Sequence, residues 1–183
     1  MANGTLKVSN IETSSGSGTI TLGQSGETVD FSNGTITLNS SMKMTPAFSV
    51  VRSGDQTISE GTWHKIQFNS EVFDSDGAFD SSTNYRFTVP SGEGGKYMLF
   101  VNAYVQYGAN GSTLRTAIYK NGSVEHISIF TDGTGVAHSS ITSMVMNLSA
   151  SDYIEFYAFQ NRGGNDNLQG PHTVAYGYKI IGA

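Results

Sequence analysis

Cysteine is absent from the sequence, so neither disulfide bonds nor a cysteine-ligated zinc ion can hold the fold together. Charged residues are also scarce, at 14% of the chain, against roughly 25% in an average soluble domain. Proline occurs only 3 times, whereas glycine occurs 22 times. Serine, threonine, asparagine and glutamine must therefore supply most of the polar surface. This composition suits strands and tight turns and argues against an ordinary cytosolic α/β enzyme.

Basic clusters and long apolar runs are missing as well. The net charge is −5 and the 10 basic residues are scattered, whereas a nucleic-acid binder needs a basic stripe that displaces counterions. No run of about 18 apolar residues occurs, so we expect no membrane insertion. Residues 1–5 lack the basic region and apolar core of a secretory signal, which predicts synthesis in the cytoplasm.

The first part of the chain, residues 1–46, is dominated by Gly, Ser and Thr. The phrase Gly-Thr-Ile-Thr-Leu occurs at 18–22 and again at 34–38, and residues 27–31 form another alternating run. The segment has too few large apolar residues for a core of its own. It is either a disordered linker or a set of short strands stabilised by two other copies of the chain. We favour an extended β-repeat stalk, because alternating Ile, Leu, Val and Phe are not linker residues.

The second part, residues 47–183, is filled with strand candidates of period two. The apolar rows are Ile66 and Phe68; Tyr85, Phe87 and Val89; Leu99, Val101, Ala103 and Val105; Ile127 and Ile129; Met144, Met146 and Leu148; Ile154, Phe156 and Ala158; and Val174, Tyr176, Tyr178 and Ile180. Asn121-Gly122 is a strong hairpin signal, and 76–77, 110–111 and 132–133 mark further turns. No stretch has a sustained helical period. The pattern predicts an all-β sandwich, jelly roll or barrel.

Several motifs in this part resemble a known family. Residues 68–80 carry an Asp-Gly turn followed by Phe79, residues 85–90 read Tyr-Arg-Phe-Thr-Val-Pro, and residues 95–100 open with Gly-Lys-Tyr. Asp152 lies in a polar turn before a strand, and residues 176–180 contain an aromatic-Gly-aromatic triplet. Residues 62–183 thereby resemble the complement globular-head domain, a relative of the tumour-necrosis-factor (TNF) jelly roll. This resemblance implies a ten-stranded jelly-roll sandwich that assembles as a homotrimer around aromatic and aliphatic contacts.

Two groups of residues are candidates for contacts. We expect one aromatic group to pack in the core and the trimer interface, although a sugar-stacking platform is an alternative for its first five members: Phe73, Phe79, Tyr85, Phe87, Tyr97, Tyr176 and Tyr178. The other group belongs to polar, Gly-rich loops at 107–113, 131–138 and 161–169, which we expect at the exposed tip. Its members are Asn110, Asp132, His138, Asn161, Arg162, Asn165 and Asp166.

No pattern of catalytic, cofactor-binding or metal-ligating residues stands out. The four histidines are dispersed without zinc-ligand spacing, and no Gly-x-Ser-x-Gly elbow is present. Residues 74–77, Asp-Ser-Asp-Gly, lack the later carboxylates of a calcium loop, so they predict a hairpin turn. We therefore expect no enzyme activity, no cofactor and no metal.

The N-terminal segment resembles the Gly/Ser/Thr-rich strand repeats of tailed-phage fibre and virion proteins. Together with the jelly-roll part over residues 47–183, which we call the knob, this resemblance predicts a bacteriophage virion structural protein, either a short fibre or spike or a capsid decoration (head-fibre) protein. The N-terminal segment would attach to other virion proteins, and the knob would trimerise and bind a surface or host. Two alternatives stay open: a tail-fibre receptor-binding protein that recognises cell-surface glycans, and a non-viral trimeric binding module of complement type.

Overall fold

The computed structural model describes residues 25, 26, 28, 37, 38, 42–106, 112–131 and 137–180. The chain divides into two units, Met1–Thr37 and Leu38–Ala183, and all strands described below belong to the second. The predicted stalk over 1–46 lies almost wholly outside the described residues, so its strand repeats and its boundary stay predictions. Within the described ranges, no helix is long and apolar enough to cross a membrane.

The described residues form thirteen β-strands. They are β1 (Ala47–Val51), β2 (Gln56–Ile58), β3 (His64–Lys65), β4 (Ser70–Asp74), β5 (Phe79–Asp80), β6 (Arg86–Thr88), β7 (Gly95–Val105), β8 (Thr113–Lys120), β9 (Ser123–Thr131), β10 (His138–Leu148), β11 (Tyr153–Gln160), β12 (Asp166–Leu168) and β13 (Val174–Lys179). The count exceeds the ten strands that the family resemblance implies, because β2, β3, β5, β6 and β12 are pieces of two or three residues.

The strands form two sheets, and every pairing is antiparallel. Sheet A runs β4-β1-β13-β7-β10, with β12 and β2 following β13 along the same side of β7. Sheet B runs β5-β6-β11-β8-β9, with β3 beside β11. The chain passes repeatedly between the sheets, for example from β7 to β8 and from β10 to β11. This arrangement confirms the predicted all-β jelly-roll sandwich.

The core lies between the sheets and takes the inward residues of each alternating row. Leu99, Val101 and Ala103 of β7 are fully buried, as are Ile154 and Phe156 of β11. Full burial of one such large side chain contributes about 1.5–3 kcal/mol. Ile66 and Phe68 are also fully buried, although they lie in an extended segment outside the strands.

A cluster of phenylalanines fills one part of the core. The ring of Phe48 stacks on Phe87 with centroids 4.8 Å apart and contacts Phe79 at 5.2 Å. Phe156 meets Phe68 edge-on at 5.9 Å. Because aromatic pairs favour such offset and edge-on arrangements, this cluster fixes how β1, β6 and β11 pack across the sandwich.

The Asn121-Gly122 turn joins β8 and β9 as predicted. Both residues have positive φ, 52° and 79°, which is the geometry of a type I′ hairpin. The Asn121 side chain donates to Asp152 Oδ1 at 2.7 Å and accepts from Tyr153 N at 2.9 Å. The hydrogen bond that Asn121 donates, together with the Ser149 backbone N–H and the Lys120 ammonium, lowers the pKa of Asp152 to about 2.

Two local predictions need correction. Residues 74–77 do not close a hairpin, because β4 pairs with β1 in sheet A whereas β5 pairs with β6 in sheet B. The turn is a corner between the sheets, and the Asp74 carboxylate holds it by accepting from Phe79 N at 2.7 Å. Tyr85 does not extend the Phe87 row, because its φ of 50° lies in the left-handed region and β6 begins only at Arg86.

Candidate functional site

The outward face of sheet A is rich in aromatic and aliphatic side chains. Each apolar pair across the sheet is set by strand register: Tyr176 lies opposite Phe100, and Tyr178 lies opposite Met98. The rings of Phe100 and Tyr176 stack with centroids 4.5 Å apart and planes 11° apart. We call this surface the aromatic face. It comprises the outward apolar and aromatic side chains of β7, β10 and β13, namely Met98, Phe100, Tyr104, Ile141, Val145, Val174, Tyr176 and Tyr178.

The edges of sheet A extend this apolar surface. On β10, Val145 lies opposite Met98 and Ile141 lies opposite Asn102. Val145 is 53% exposed. Phe73 of β4, at the other edge, is 51% exposed. An antiparallel sheet normally presents polar residues on the face that meets water, so an apolar outer face of this kind indicates a surface that another molecule covers.

Gly177 explains why the two neighbouring tyrosines can occupy the aromatic face. It lies inward on β13, in register with Phe48 on one side and Leu99 on the other. A Cβ at this position would be 2.8 Å from Leu99 Cδ2 and 2.8 Å from Phe48 Cε1. Only glycine leaves room for the core there while Tyr176 and Tyr178 face outward.

A second apolar surface lies on β9, at the edge of sheet B. We call it the β9 edge and define it by its exposed side chains Val124, Ile127, Ile129 and Phe130, of which Phe130 lies on the opposite side of the strand from Ile129. Ile129 is 58% exposed and lies opposite Arg115 of β8. The β9 edge and the aromatic face are different surfaces of one chain, and both are apolar.

The outer face of sheet B has a different character. It carries aromatic rings too, and charged groups lie over two of them: Arg115 lies over Phe159 at 4.8 Å, and Arg86 lies over Tyr153 at 4.2 Å. Lys65 Nζ also pairs with Glu155 at 2.5 Å. Charged side chains that cap aromatic rings keep this part of the surface wettable.

A polar cavity of about 260 Å³ lies at the predicted loop 161–169. Its lining consists of Gln106, Arg162, Asn165, Asp166, Asn167 and Gln169. Arg162 pairs with Asp166 at 2.7 Å, and the Asp166 side chain is only 9% exposed. Gln169 donates to Gln106 Oε1 at 2.9 Å. The cavity therefore contains one compensated ion pair among neutral amides.

Buried Gln160 fixes the start of this loop. Its Nε2 donates to Ile58 O at 3.2 Å and to Gly164 O at 2.7 Å, while its Oε1 accepts from Arg162 N at 2.7 Å. All the polar atoms of the amide are thus used to hold backbone. Further along, Asp166 and Asn167 belong to β12, which pairs with β2, so this part of the cavity wall belongs to sheet A.

The predicted aromatic group separates into two sets. Phe79, Phe87 and Tyr97 lie in the core, whereas Phe73, Tyr176 and Tyr178 lie on the outer side of sheet A. Tyr85 is half-buried. Burial, and then the nearby charge of Glu93, raises the pKa of Tyr97, whose hydroxyl donates to Glu93 O at 2.6 Å.

The predicted tip residues separate as well. Arg162, Asn165 and Asp166 come together in the cavity, and Asn161 accepts from Thr113 N at 2.5 Å. His138 is not at an exposed tip: it is 7% exposed, because it lies on the inward side of β10, where its ring stacks on Phe130 at 5.1 Å. Asn110 and Asp132 lie outside the described residues. Among the described residues, no group of three or more His, Asp or Glu side chains is placed to hold a metal.

The sequence analysis missed the contribution of Met98, Phe100 and Tyr104. Part of the signal was available, because Met98, Phe100 and Tyr104 alternate with the inward row Leu99, Val101 and Ala103, although polar Asn102 interrupts the outward row. Large apolar residues on both sides of a strand are typical of strands that are covered on both faces. In contrast, the exposure of Ile127 and Ile129 on β9 could not be predicted from the alternation of apolar and polar residues in the sequence.

No protein-family model and no curated protein matches the sequence. Solved structures match the fold. The structure is similar to murine APRIL, with a TM-score of 0.56 and 14% identity over 73% of this chain and 98% of that one. It is similar to the globular domain of the zebrafish complement 1qA protein (TM-score 0.53, 21% identity, 74% and 98%). It is also similar to Eiger TNF from S. frugiperda (TM-score 0.53, 11% identity, 75% and 93%). The knob therefore has the jelly-roll fold of TNF and complement globular-head domains.

Proposed function

We propose that the protein is a non-enzymatic homotrimer that serves as a structural and binding protein of a bacteriophage particle. The aromatic face carries the assembly part of this proposal. It places the stacked Phe100 and Tyr176 rings, together with Val145, on the side of sheet A that faces away from the core. A surface of this composition is costly in water and is stabilised when a second copy covers it.

The β9 edge supplies the complementary surface. Because the aromatic face and the β9 edge are different parts of one chain, contact between them is heterologous, head to tail. A pair of chains joined in this way leaves one surface of each kind uncovered, whereas a closed ring covers all of them. The resemblance to complement globular-head and TNF domains implies that the ring contains three chains.

The virion part of the proposal is supported by the sequence. The repeated Gly-Thr-Ile-Thr-Leu phrase at 18–22 and 34–38 resembles the strand repeats of tailed-phage fibre and virion proteins. In this proposal, residues 1–46 attach to other virion proteins after synthesis in the host cytoplasm. The trimeric knob then displays its loops to a surface or a host.

Two variants, each with one negative charge introduced on one of the two surfaces, test the assembly. Val145→Asp alters the aromatic face and Ile129→Asp alters the β9 edge, while Gln67→Asp is the control, since Gln67 is exposed and lies outside the strands. Light scattering should give monomers for the first two variants and an unchanged trimer for the control, because burying an unpaired carboxylate is strongly unfavourable. Circular dichroism checks that each variant is folded. Trimers of unchanged stability for Val145→Asp and Ile129→Asp would reject the interface.

Mass spectrometry of purified particles tests the virion role. Trypsin should release residues 87–96, which follow Arg86 and end at Lys96. We expect this peptide in gradient-purified particles of a phage whose genome encodes the chain, in a copy number divisible by three. Its presence in the infected lysate but not in the particles would reject the virion role and leave the trimer untouched.

A further inference from the structure

We infer that the polar cavity at the 161–169 loop binds one neutral sugar residue of a surface glycan. This inference rests on the proposed function, to which it adds the chemical class of the ligand. The cavity is lined by Gln106, Arg162, Asn165, Asp166, Asn167 and Gln169, is open to solvent on one side, and has a volume of about 260 Å³.

Side-chain atoms around the cavity keep unused hydrogen-bonding capacity. The Asp166 carboxylate accepts from Arg162 and from Asn167 N through Oδ1. Its Oδ2 accepts no hydrogen bond from the part of the chain that the structure describes. The Asn165 amide, likewise, makes no hydrogen bond to the described residues. Gln169 uses its Nε2 on Gln106, which leaves Gln169 Oε1 and Gln106 Nε2 as an acceptor and a donor with respect to the described residues.

This set of groups matches the chemistry of vicinal hydroxyls. Each sugar hydroxyl both donates and accepts, and planar amides and carboxylates offer acceptors and donors side by side. A hydrogen bond to the Asp166 carboxylate is charge-assisted, and such bonds are about twice as strong as neutral ones. Burial of the Asp166 side chain strengthens this bond.

Charge and size restrict the ligand further. Among the described lining residues the only cation is Arg162, which is already paired with Asp166 at 2.7 Å, so these residues give the cavity no net positive charge for an anionic sugar. Pockets for drug-sized ligands span roughly 300–1,000 Å³, and this cavity of about 260 Å³ lies below that range. It therefore suits a single ring with its hydroxyls.

The cavity wall is held in place before any ligand arrives. Buried Gln160 fixes the backbone of Arg162 and Gly164, and Gly163 N donates to Glu60 at 3.0 Å. Gly170 follows β12 at a close approach to Gly54, where a Cβ would come within 2.9 Å of backbone atoms. Side chains on such supported backbone present their groups at fixed positions.

The trimer makes a weak site useful. A single small polar site binds one sugar ring weakly, but three copies on one knob can engage a glycan-covered surface together. Linked sites raise the overall avidity by about 10²–10⁴ when the geometry permits simultaneous binding.

Saturation-transfer NMR on the full chain tests this inference. The probes are free galactose, glucose, mannose and N-acetylglucosamine as neutral sugars, with glucuronic acid and N-acetylneuraminic acid as anionic ones. Asn165→Ala and Gln169→Ala remove cavity groups, and Gln67→Ala is the matched control, because it truncates an exposed amide elsewhere. Neither Asn165 nor Gln169 uses its side chain to hold backbone among the described residues.

We expect transfer to at least one neutral sugar, with affinity about 3- to 10-fold weaker in both cavity variants and unchanged in the control. No transfer to any neutral sugar, a preference for the anionic sugars, or equal transfer in all variants would overturn the inference. Light scattering on the same samples separates the two proposals. A trimer that binds no sugar rejects only the inference, and a monomer that binds sugar rejects only the assembly.

Discussion

Substitution of Gly177 by alanine should destabilise the knob through overpacking. The added methyl carbon would lie 2.8 Å from both Leu99 Cδ2 and Phe48 Cε1. Carbon atoms in contact prefer about 3.5–4.0 Å, so each neighbour must retreat by roughly 0.7–1.2 Å. Both side chains are essentially fully buried, and overpacking of a filled core costs about 1–3 kcal/mol. For a chain of this size, that corresponds to a fall of about 2–12 °C in Tm.

Thermal unfolding followed by circular dichroism measures this effect at fixed protein concentration. Gly54→Ala is the matched control, because a Cβ at Gly54 meets no atom within 4 Å. Its free energy of unfolding should change by less than about 0.5 kcal/mol. If Gly177→Ala is as stable as the control, the close packing of β13 against Phe48 and Leu99 is refuted as the reason for glycine in the aromatic-Gly-aromatic triplet.

Two further predictions concern the β8–β9 turn and its carboxylate. Asn121→Ala should cost about 1–2 kcal/mol, because alanine tolerates the φ of 52° poorly and makes neither side-chain bond. Asn121→Gly should cost less in urea unfolding, since glycine accepts this φ; equal losses would show that backbone strain is unimportant there. The pKa of Asp152 is lowered to about 2, below about 3.9 in the unfolded chain, so its ionisation stabilises the fold above about pH 4 and this contribution is lost as the pH falls towards 2. Asp152→Asn should therefore lose about 1 kcal/mol at pH 7 and progressively less below pH 4, and a pH-independent difference would contradict the assignment.

The sequence predicted the fold through features that are local and periodic. The inward rows at Leu99 to Val105 and at Ile154 to Ala158 alternate with period two, and they form the centres of β7 and β11. The Asn121-Gly122 turn was predictable because few other residue pairs accept two positive φ values in succession. The Asp76-Gly77 turn has similar composition but turns a corner, because pairing partners far along the chain decide which sheet a strand joins.

The candidate surfaces were only partly predictable for the same reason. Alternation shows that Tyr176 and Tyr178 share a face, but not whether that face is the core or the exterior. Phe48 and Leu99 decide this by occupying the inward side at Gly177. The cavity combines Gln106 with residues about 60 positions later, and Gln160, which holds its backbone, carries no sequence signature of that role. Loop composition predicted a contact site at 161–169, but only the fold brings Gln106, which directly follows β7, next to this loop.

The mass of the full chain in solution tests the central proposal most directly. Multi-angle light scattering on a dilution series at micromolar concentration should give about 58.5 kDa, three times the 19.5 kDa of one chain. That result would agree with a closed ring in which each aromatic face covers a neighbour's β9 edge. A species of 19.5 kDa that persists across the series would contradict it and leave a monomeric jelly-roll binding module.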